Sequence, residues 1–275
     1  MKICFFTVFF ILICGVFFYV RYADVIKNNR SNTKSYPYYT TELSQEHLIA
    51  HAGGALDGHI YTDALEAYEQ SIAAGMKFIE VDLLETKEGK FVAAHDWKTF
   101  NEITGENEEK VRSLEEIHKL KIYDKYTPMD EKQVASLMKK YPDIVMVTDK
   151  TRDVRHIAEA FPFYDRMIVQ TFGLIDYLEA LRQGIKYPTL RLKGGRKGIP
   201  WVYKKMMQAL NVKSVILGEL SFNKNKDFIR ELHDRGVLVI LYGNPLYQIV
   251  DHPEQVKKYA GKYIDLFDSD FMQHL

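Results

Sequence analysis

The chain predicts an α/β protein, a (β/α)8 TIM barrel preceded by an N-terminal transmembrane helix. Three observations carry that expectation: eight short β-branched or apolar runs, helix-length segments between most of them, and polar residues gathered at the runs' C-terminal ends. A doubly wound open sheet is the alternative. Of the 275 residues, roughly 230 remain once the apolar N-terminus is set aside, which suits one large domain. The expected division is a membrane segment or signal over 1–23, a polar tether over 24–45 and the barrel over 46–275.

Ile3 to Val20 is an 18-residue apolar or near-neutral run, with Lys2 before it and Arg21 after it. That is membrane length. Val20-Arg21-Tyr22-Ala23 makes a poor cleavage site, so an uncleaved single-pass anchor is expected, with a cleaved signal and secretion as the alternative. A lipoprotein signal is disfavoured because Ile13 precedes Cys14. Counting only positive charges would put the barrel in the cytoplasm, since Arg21, Lys27, Arg30 and Lys34 follow the run. A short signal-anchor followed by a tether points outside, and the extracytoplasmic location is the expectation.

The strand runs are Leu48–His51, Lys77–Leu83, Ile144–Asp149, Met167–Thr171, Thr189–Leu192, Ser214–Leu217, Val237–Tyr242 and Ile264–Asp268. Between the first two, Asp63-Ala64-Leu65-Glu66 has the N-cap and N3 acid of a capping box, and Gly75 closes the helix. Lys224 to Arg235 reads as a helix ended by Gly236. Thr86 to Val92 reads as a hairpin turn into a short extra strand that carries His95 back toward the barrel mouth. Thr99 to Lys125 is charged and irregular, an insertion over one side of the mouth. No internal repeat is evident.

Hydrophobic residues at 47% and charged residues at 27% are ordinary for a globular protein, and a formal net charge of zero argues against a nucleic-acid binder. Phosphate recognition, if any, is then local. Both cysteines, Cys4 and Cys14, fall in the leader, so the domain has neither a disulfide nor thiol chemistry.

Active sites of parallel barrels gather at the strands' C-terminal ends. Those positions hold His51, then Glu80 and Asp82, Asp149, Gln170, Arg191 and Lys193, Glu219, Tyr242 and Asn244, and finally Asp268 and Asp270. In Phe78-Ile79-Glu80-Val81-Asp82-Leu83, strand alternation puts Glu80 and Asp82 on one face and Ile79, Val81 and Leu83 on the other. Two converging carboxylates push one pKa up unless a cation sits between them, and a hard divalent metal is the natural partner.

The ordered set His51-Ala52-Gly53, Tyr61-Thr62-Asp63-Ala64-Leu65-Glu66-Ala67, Gly75 to Asp82, Thr86-Lys87-Glu88-Gly89 and His95-Asp96 resembles the glycerophosphodiester phosphodiesterases. These belong to the wider phosphatidylinositol-phospholipase-C-like barrel superfamily, and the resemblance covers about Leu48 to Phe271. It implies one Ca²⁺ or Mg²⁺ held by Glu80, Asp82 and, by position, Asp149, with His51 and His95 as the acid/base pair. The implied reaction is metal-dependent hydrolysis of a glycerophosphodiester to glycerol phosphate and an alcohol. A neighbouring glycerol hydroxyl is the implied nucleophile, giving a cyclic phosphate that water opens. The substrate would be a small phosphodiester or a glycerophosphate-bearing polymer. A phospholipase-type lyase on an intact phospholipid and a non-catalytic phosphate-binding barrel are the alternatives.

Three positions depart from the family pattern. Ala52 stands where the family has Arg, which removes a bidentate phosphate contact. Lys150, Arg191 and Lys193 are the candidates to replace it, the last two being either phosphate contacts or rim charges. Asp63 replaces Asn and reads as an N-cap or as an added charge in the metal shell. The third acid is Asp149 rather than Glu, with Lys150 adjacent instead of two residues on, so Lys150 reaches the site only if the strand ends at Asp149. Trp97 lines the leaving-group pocket or makes a lid contact. The other histidines, His47, His59, His118, His156, His233, His252 and His274, read as surface residues.

Overall fold

The computed structural model describes residues 2–39, 48–106, 109–193, 198–243 and 249–270, with side chains from residue 17 onward. In chain order it runs α1 (Lys2–Ser31), β1 (Leu48–Ala50), α2 (Leu65–Ala73), β2 (Phe78–Glu85), β3 (Phe91–Ala93), α3 (Trp97–Ile103), α4 (Leu114–Ile117) and α5 (Glu131–Lys140). It continues with β4 (Val145–Asp149), α6 (Val154–Ala160), β5 (Met167–Thr171), α7 (Leu174–Arg182), β6 (Tyr187–Leu192), α8 (Trp201–Ala209) and β7 (Ser214–Gly218). The last elements are α9 (Glu219–Lys224), α10 (Lys226–Asp234), β8 (Leu238–Tyr242), α11 (Pro253–Tyr259) and β9 (Leu266–Ser269).

The strands pair in the order β1-β9-β8-β7-β6-β5-β4-β2-β3, and β1 also pairs with β2. All these pairings are parallel except β2 with β3, so eight strands close into the expected (β/α)8 barrel and β3 hangs on as an antiparallel ninth. The hairpin turn is closed by Gly89 N–H to Thr86 O, 3.0 Å, and Thr86 N–H to Lys90 O, 2.8 Å.

Strand alternation builds two cores. Ile79, Val81 and Leu83 face the helices, together with Met146, Val169, Leu190, Leu217, Leu241 and Phe267 from the other strands. Phe78, Val145, Val147, Ile168, Ile216, Leu238, Ile240 and Leu266 fill the barrel interior below the mouth.

Several elements differ from expectation. Asp63 does not cap α2: the cap is Ala64, without a side-chain bond, while Asp63 turns inward at φ +47° to accept from the Tyr68 hydroxyl. The Lys224–Arg235 helix starts afresh at Lys226, after the separate helix α9, and ends before Gly236 as expected. The insertion is more ordered than its charge suggests. α4 carries a full Ser113/Glu116 capping box, and Ile117 and Ile122 are buried. His233 is only 2% exposed, lying 3.3 Å from Asp265, and His156 is half-buried against Glu131 and the Phe91 ring, so neither is a surface residue. His59, His118 and His252 are exposed as expected, whereas His47, His274 and Asn244 lie outside the described residues.

The N-terminal transmembrane helix is not borne out: among the described residues no helix is long and apolar enough to cross a membrane. Most of Ile3–Val20 lies outside the described side chains. Residues 24–31, expected as tether, instead complete α1, whose Tyr22 and Asn29 pack on the barrel flank. Beyond Ser31, the Tyr-Pro-Tyr-Tyr segment supplies rings that close the barrel's N-terminal end. Tyr36 is buried there, with its hydroxyl donating to Pro188 O at 3.3 Å, and Tyr38 meets Phe78 edge-on at 5.1 Å.

Candidate active site

The parity of β2 that sends Ile79 and Val81 outward sends Glu80 and Asp82 into the mouth, where both are buried. Asp149, the last residue of β4, is the in-register partner of Asp82. Ligand oxygens of Glu80, Asp82 and Asp149 all lie within 4.8 Å of one another. Ala52 N–H donates to Glu80 Oε2 at 2.8 Å. That bond requires the turn after β1, in which Ala52 (φ +46°), Gly53 and Gly54 are all left-handed. A Cβ on Gly53 would stand 3.1 Å from Ala67 Cβ, so glycine is needed there for space as well as for φ.

The acidic centre is short of positive charge. Neither Asp82 oxygen has a hydrogen-bond partner, nor does Asp63 Oδ2 or Asp268 Oδ1. Burial, and then the neighbouring Asp82, Asp268 and Asp149, hold the Glu80 carboxyl well above its ordinary range. Asp63 is raised likewise, by burial and Asp82. Asp268 is pushed up to about 7, chiefly by burial, with His51 opposing. Asp82 is also raised by burial, although Lys150 pulls the other way. Converging oxygens on Glu80, Asp82 and Asp149, with both Asp82 oxygens unpartnered, are a donor set suited to a hard divalent cation, and the residues present fit such an ion.

Lys150 supplies part of the missing charge. β4 does end at Asp149, and Lys150 turns back at φ +71°, bringing Nζ to 3.4 Å from Asp82 Oδ1 and 3.6 Å from Asp149 Oδ2. Burial would lower its pKa, but the carboxylates of Asp82, Asp149 and Glu80 raise it. Arg191 points into the barrel, 3.5 Å from Asp149 Oδ1, and lies over the Tyr242 ring at 4.9 Å. Gly218 makes room for that ring, since a Cβ there would come within 2.8 Å of it. Gln170 donates to Asp149 from the next strand.

Both imidazoles are anchored in the same way. His51 Nδ1 is 2.8 Å from Asp270 Oδ1 and His95 Nδ1 is 2.7 Å from Asp96 Oδ2. A carboxylate accepts only, so each Nδ1 carries the proton and each Nε2 is left for other work. Tyr61 stands between the two rings, 5.0 Å from His51 and 4.6 Å from His95, centroid to centroid. Burial would lower the pKa of His51, but Asp268, Asp270 and Asp82 together push it up to about 10. Asp96 also caps α3 through Thr99 N–H at 2.7 Å, and Asp251 holds Asp270 in place by accepting from its N–H at 3.2 Å.

The structure thus brings together His51, His95, Glu80, Asp82, Asp149, Lys150 and Arg191. Asp63 lies beneath them, accepting from Tyr68 and from Asp82 N–H at 3.3 Å. Lys193 is exposed past the end of β6. Trp97 packs edge-on against Phe100 at 5.8 Å beside Val92, Ala94 and Ile117. Sequence reasoning missed the roles of Tyr61, Asp96, Asp268 and Asp270. Asp96 and Tyr61 sat inside recognised motifs, and Asp268 and Asp270 at a strand end, but no spacing rule ties Asp270 to His51 across the chain.

Residues 55–260 match the Glycerophosphoryl diester phosphodiesterase family. No curated protein matches. Among solved structures, a putative glycerophosphodiester phosphodiesterase from Galdieria sulphuraria aligns at TM-score 0.64 and 18% identity, covering 82% of this chain and 93% of that one. A Parabacteroides distasonis glycerophosphoryl diester phosphodiesterase aligns at 0.64 and 14% over 86% and 87%. An Oleispira antarctica phosphodiesterase in complex with the product sn-glycerol-3-phosphate aligns at 0.63 and 14% over 82% and 94%. These likenesses show the fold, and the match over most of the barrel shows the family. The chain belongs to the glycerophosphoryl diester phosphodiesterase family and is a phosphoric diester hydrolase.

Proposed function

We propose that the chain hydrolyses a glycerophosphodiester to glycerol phosphate and an alcohol, with Glu80, Asp82 and Asp149 holding one Ca²⁺ or Mg²⁺ and His51 and His95 moving the protons. The observation that carries this reading is the cluster of three converging acids, with both Asp82 oxygens lacking a hydrogen-bond partner, beside two carboxylate-anchored imidazoles that share Tyr61. A bound dication would supply charge neutralisation at a non-bridging phosphate oxygen. Lys150 and Arg191 add positive charge to the phosphate pocket and take over from the missing arginine at Ala52. One Nε2 accepts a proton from the attacking hydroxyl while the other donates to the leaving alkoxide, each contributing on the order of 10²–10⁴-fold. Asp270 and Asp96 fix the tautomers.

The sn-glycerol-3-phosphate named in the Oleispira antarctica complex supports a glycerophosphate-type product. The localisation in this reading is extracytoplasmic. Incubating the purified full chain with glycerophosphocholine, with and without chelator, tests the chemistry. Glycerol phosphate released only with Ca²⁺ or Mg²⁺ present is the expected result; release undiminished by chelator contradicts it.

A further inference from the structure

Apart from Val111 and Tyr123, the large exposed apolar side chains among the described residues lie on three helices: Phe17 to Val20 on α1, Ile175 on α7, and Trp201, Val202 and Met206 on α8. Trp201 is 70% exposed and Val202 59%. Apolar surface this concentrated marks a contact face.

Chain direction puts most of it at one level. α7 and α8 follow β5 and β6, so their first turns, with Ile175, Trp201 and Val202, stand at the mouth end of the barrel. α1 runs the same way along this flank. Arg21 Nη2 and the Tyr22 hydroxyl reach Glu179 of α7 at 2.9 and 3.1 Å. Lower down, Asn29 Nδ2 donates to Leu210 O at 2.6 Å and Arg30 Nε to Ala209 O at 2.5 Å, at the far end of α8. At about 1.5 Å per residue, Phe17 then stands roughly 7 Å above Tyr22, level with Ile175. Toward Lys2 the α1 backbone continues as helix for roughly another 22 Å in the mouth direction.

The charge around the patch is one-sided. α8 carries Lys204 and Lys205 and no acid, with Lys205 Nζ 6.0 Å from the Trp201 ring. Lys193 is exposed where β6 leads toward α8. The acids on this flank are matched by cations or capped: Glu179 meets Arg21 at 2.9 Å, Asp176 lies 3.9 Å from Arg152, and Asp153 accepts from His156 N–H at 3.0 Å. An exposed indole, aliphatic side chains and the ammonium groups of an acid-free helix match the boundary of a bilayer with anionic headgroups. A two-fold contact with a second copy would instead set these lysines against their own equivalents.

We propose that this rim seats the barrel on an anionic lipid bilayer with its mouth toward the surface, so that the site takes glycerophosphodiesters presented there. The seat itself stands on the surface alone; the substrate clause rests on the hydrolase reading above. The test uses the full chain on phosphatidylcholine vesicles with or without phosphatidylglycerol, their acyl chains brominated near the headgroup. Indole fluorescence is quenched in wild type, more so with phosphatidylglycerol, and Trp201→Phe loses the quenched component. Because α1 could bind vesicles by itself, the depth of Trp201, and not binding, decides the matter. Quenching that is absent, or equal in wild type and Trp201→Phe, overturns the proposal, as does a dimer in light scattering that Trp201→Ala dissolves. In a second arm, Trp201→Ala with Lys205→Ala lowers turnover of a lysophospholipid in those vesicles by roughly tenfold. Soluble glycerophosphocholine is turned over as before. Equal loss on both substrates overturns the substrate clause, while no turnover of either by wild type refutes the hydrolase reading and leaves the quenching to decide the seat.

Discussion

The two ends of the barrel are built from the same strands to opposite ends. β2 alone sends Phe78 to the bottom and Glu80 and Asp82 to the mouth. At the bottom the rings of Tyr36, Tyr38, Tyr187 and Phe78 close edge to face at 5.0–5.4 Å, and the polar groups find partners: Tyr36 on Pro188 O, and Ser214 on Thr189 at 2.8 Å. At the mouth, Asp63, Asp82 and Asp268 keep buried oxygens without partners. One end is satisfied and holds the fold together. The other stores like charge, which Lys150 and Arg191 offset in part and which a bound cation would offset further.

That contrast can be tested by mutation. Glu80→Gln removes one carboxylate and should cut turnover by roughly 10³-fold or more. Without metal it should leave melting temperature equal or higher, because a raised, buried acid has been replaced by an amide. Phe78→Ala should do the reverse, lowering stability by about 3–5 kcal/mol in denaturant titration, with kcat of the folded fraction little changed. Were Glu80→Gln to destabilise the metal-free protein as much as Phe78→Ala does, the division of labour would fail. His95→Ala should lower kcat by about 10²-fold or more with metal binding near normal. Tyr36→Phe, which deletes one hydroxyl at the bottom, should lower stability by about 0.5–1.5 kcal/mol and leave kinetics alone.

The smallest effect sharpens the contrast through pH. Asp268 is raised from 3.8 to about 7 in the fold, so its contribution to stability is fully present below about pH 4 and is lost as pH rises through about 7. His51, raised from 6.5 to about 10, acts in the same direction over the next interval. Metal-free protein should therefore lose melting temperature from pH 4 to 7, and a dication should flatten that slope. A metal-free profile already flat over this interval would show that the mouth stores no such charge.

Much of this site was legible in the sequence because strand parity is strict. Once β2 was recognised, Glu80 and Asp82 had to share a face, and Thr86 to Gly89 had to turn the chain toward His95. Lys150 was legible conditionally, on β4 ending at Asp149, as it does. What stayed hidden depends on contacts distant in sequence. Asp63 carries the local signature of an N-cap, yet the Tyr68 hydroxyl and the Asp82 N–H draw it inward. Asp270 is joined to His51 only by barrel closure, through the pairing of β1 with β9. The Tyr-rich stretch after α1 looked like a polar tether because its partners, Phe78, Tyr187 and Pro188, come from strands far along the chain.

The most direct test of the charge-strained mouth is the melting temperature of the full chain titrated with Ca²⁺ and with Mg²⁺. Wild type should rise with at least one of these ions, by the mass-action stabilisation expected when a ligand binds only the folded state, and Glu80→Ala should not respond. A wild-type melting temperature indifferent to both ions, or a Glu80→Ala response equal to that of wild type, would contradict the account.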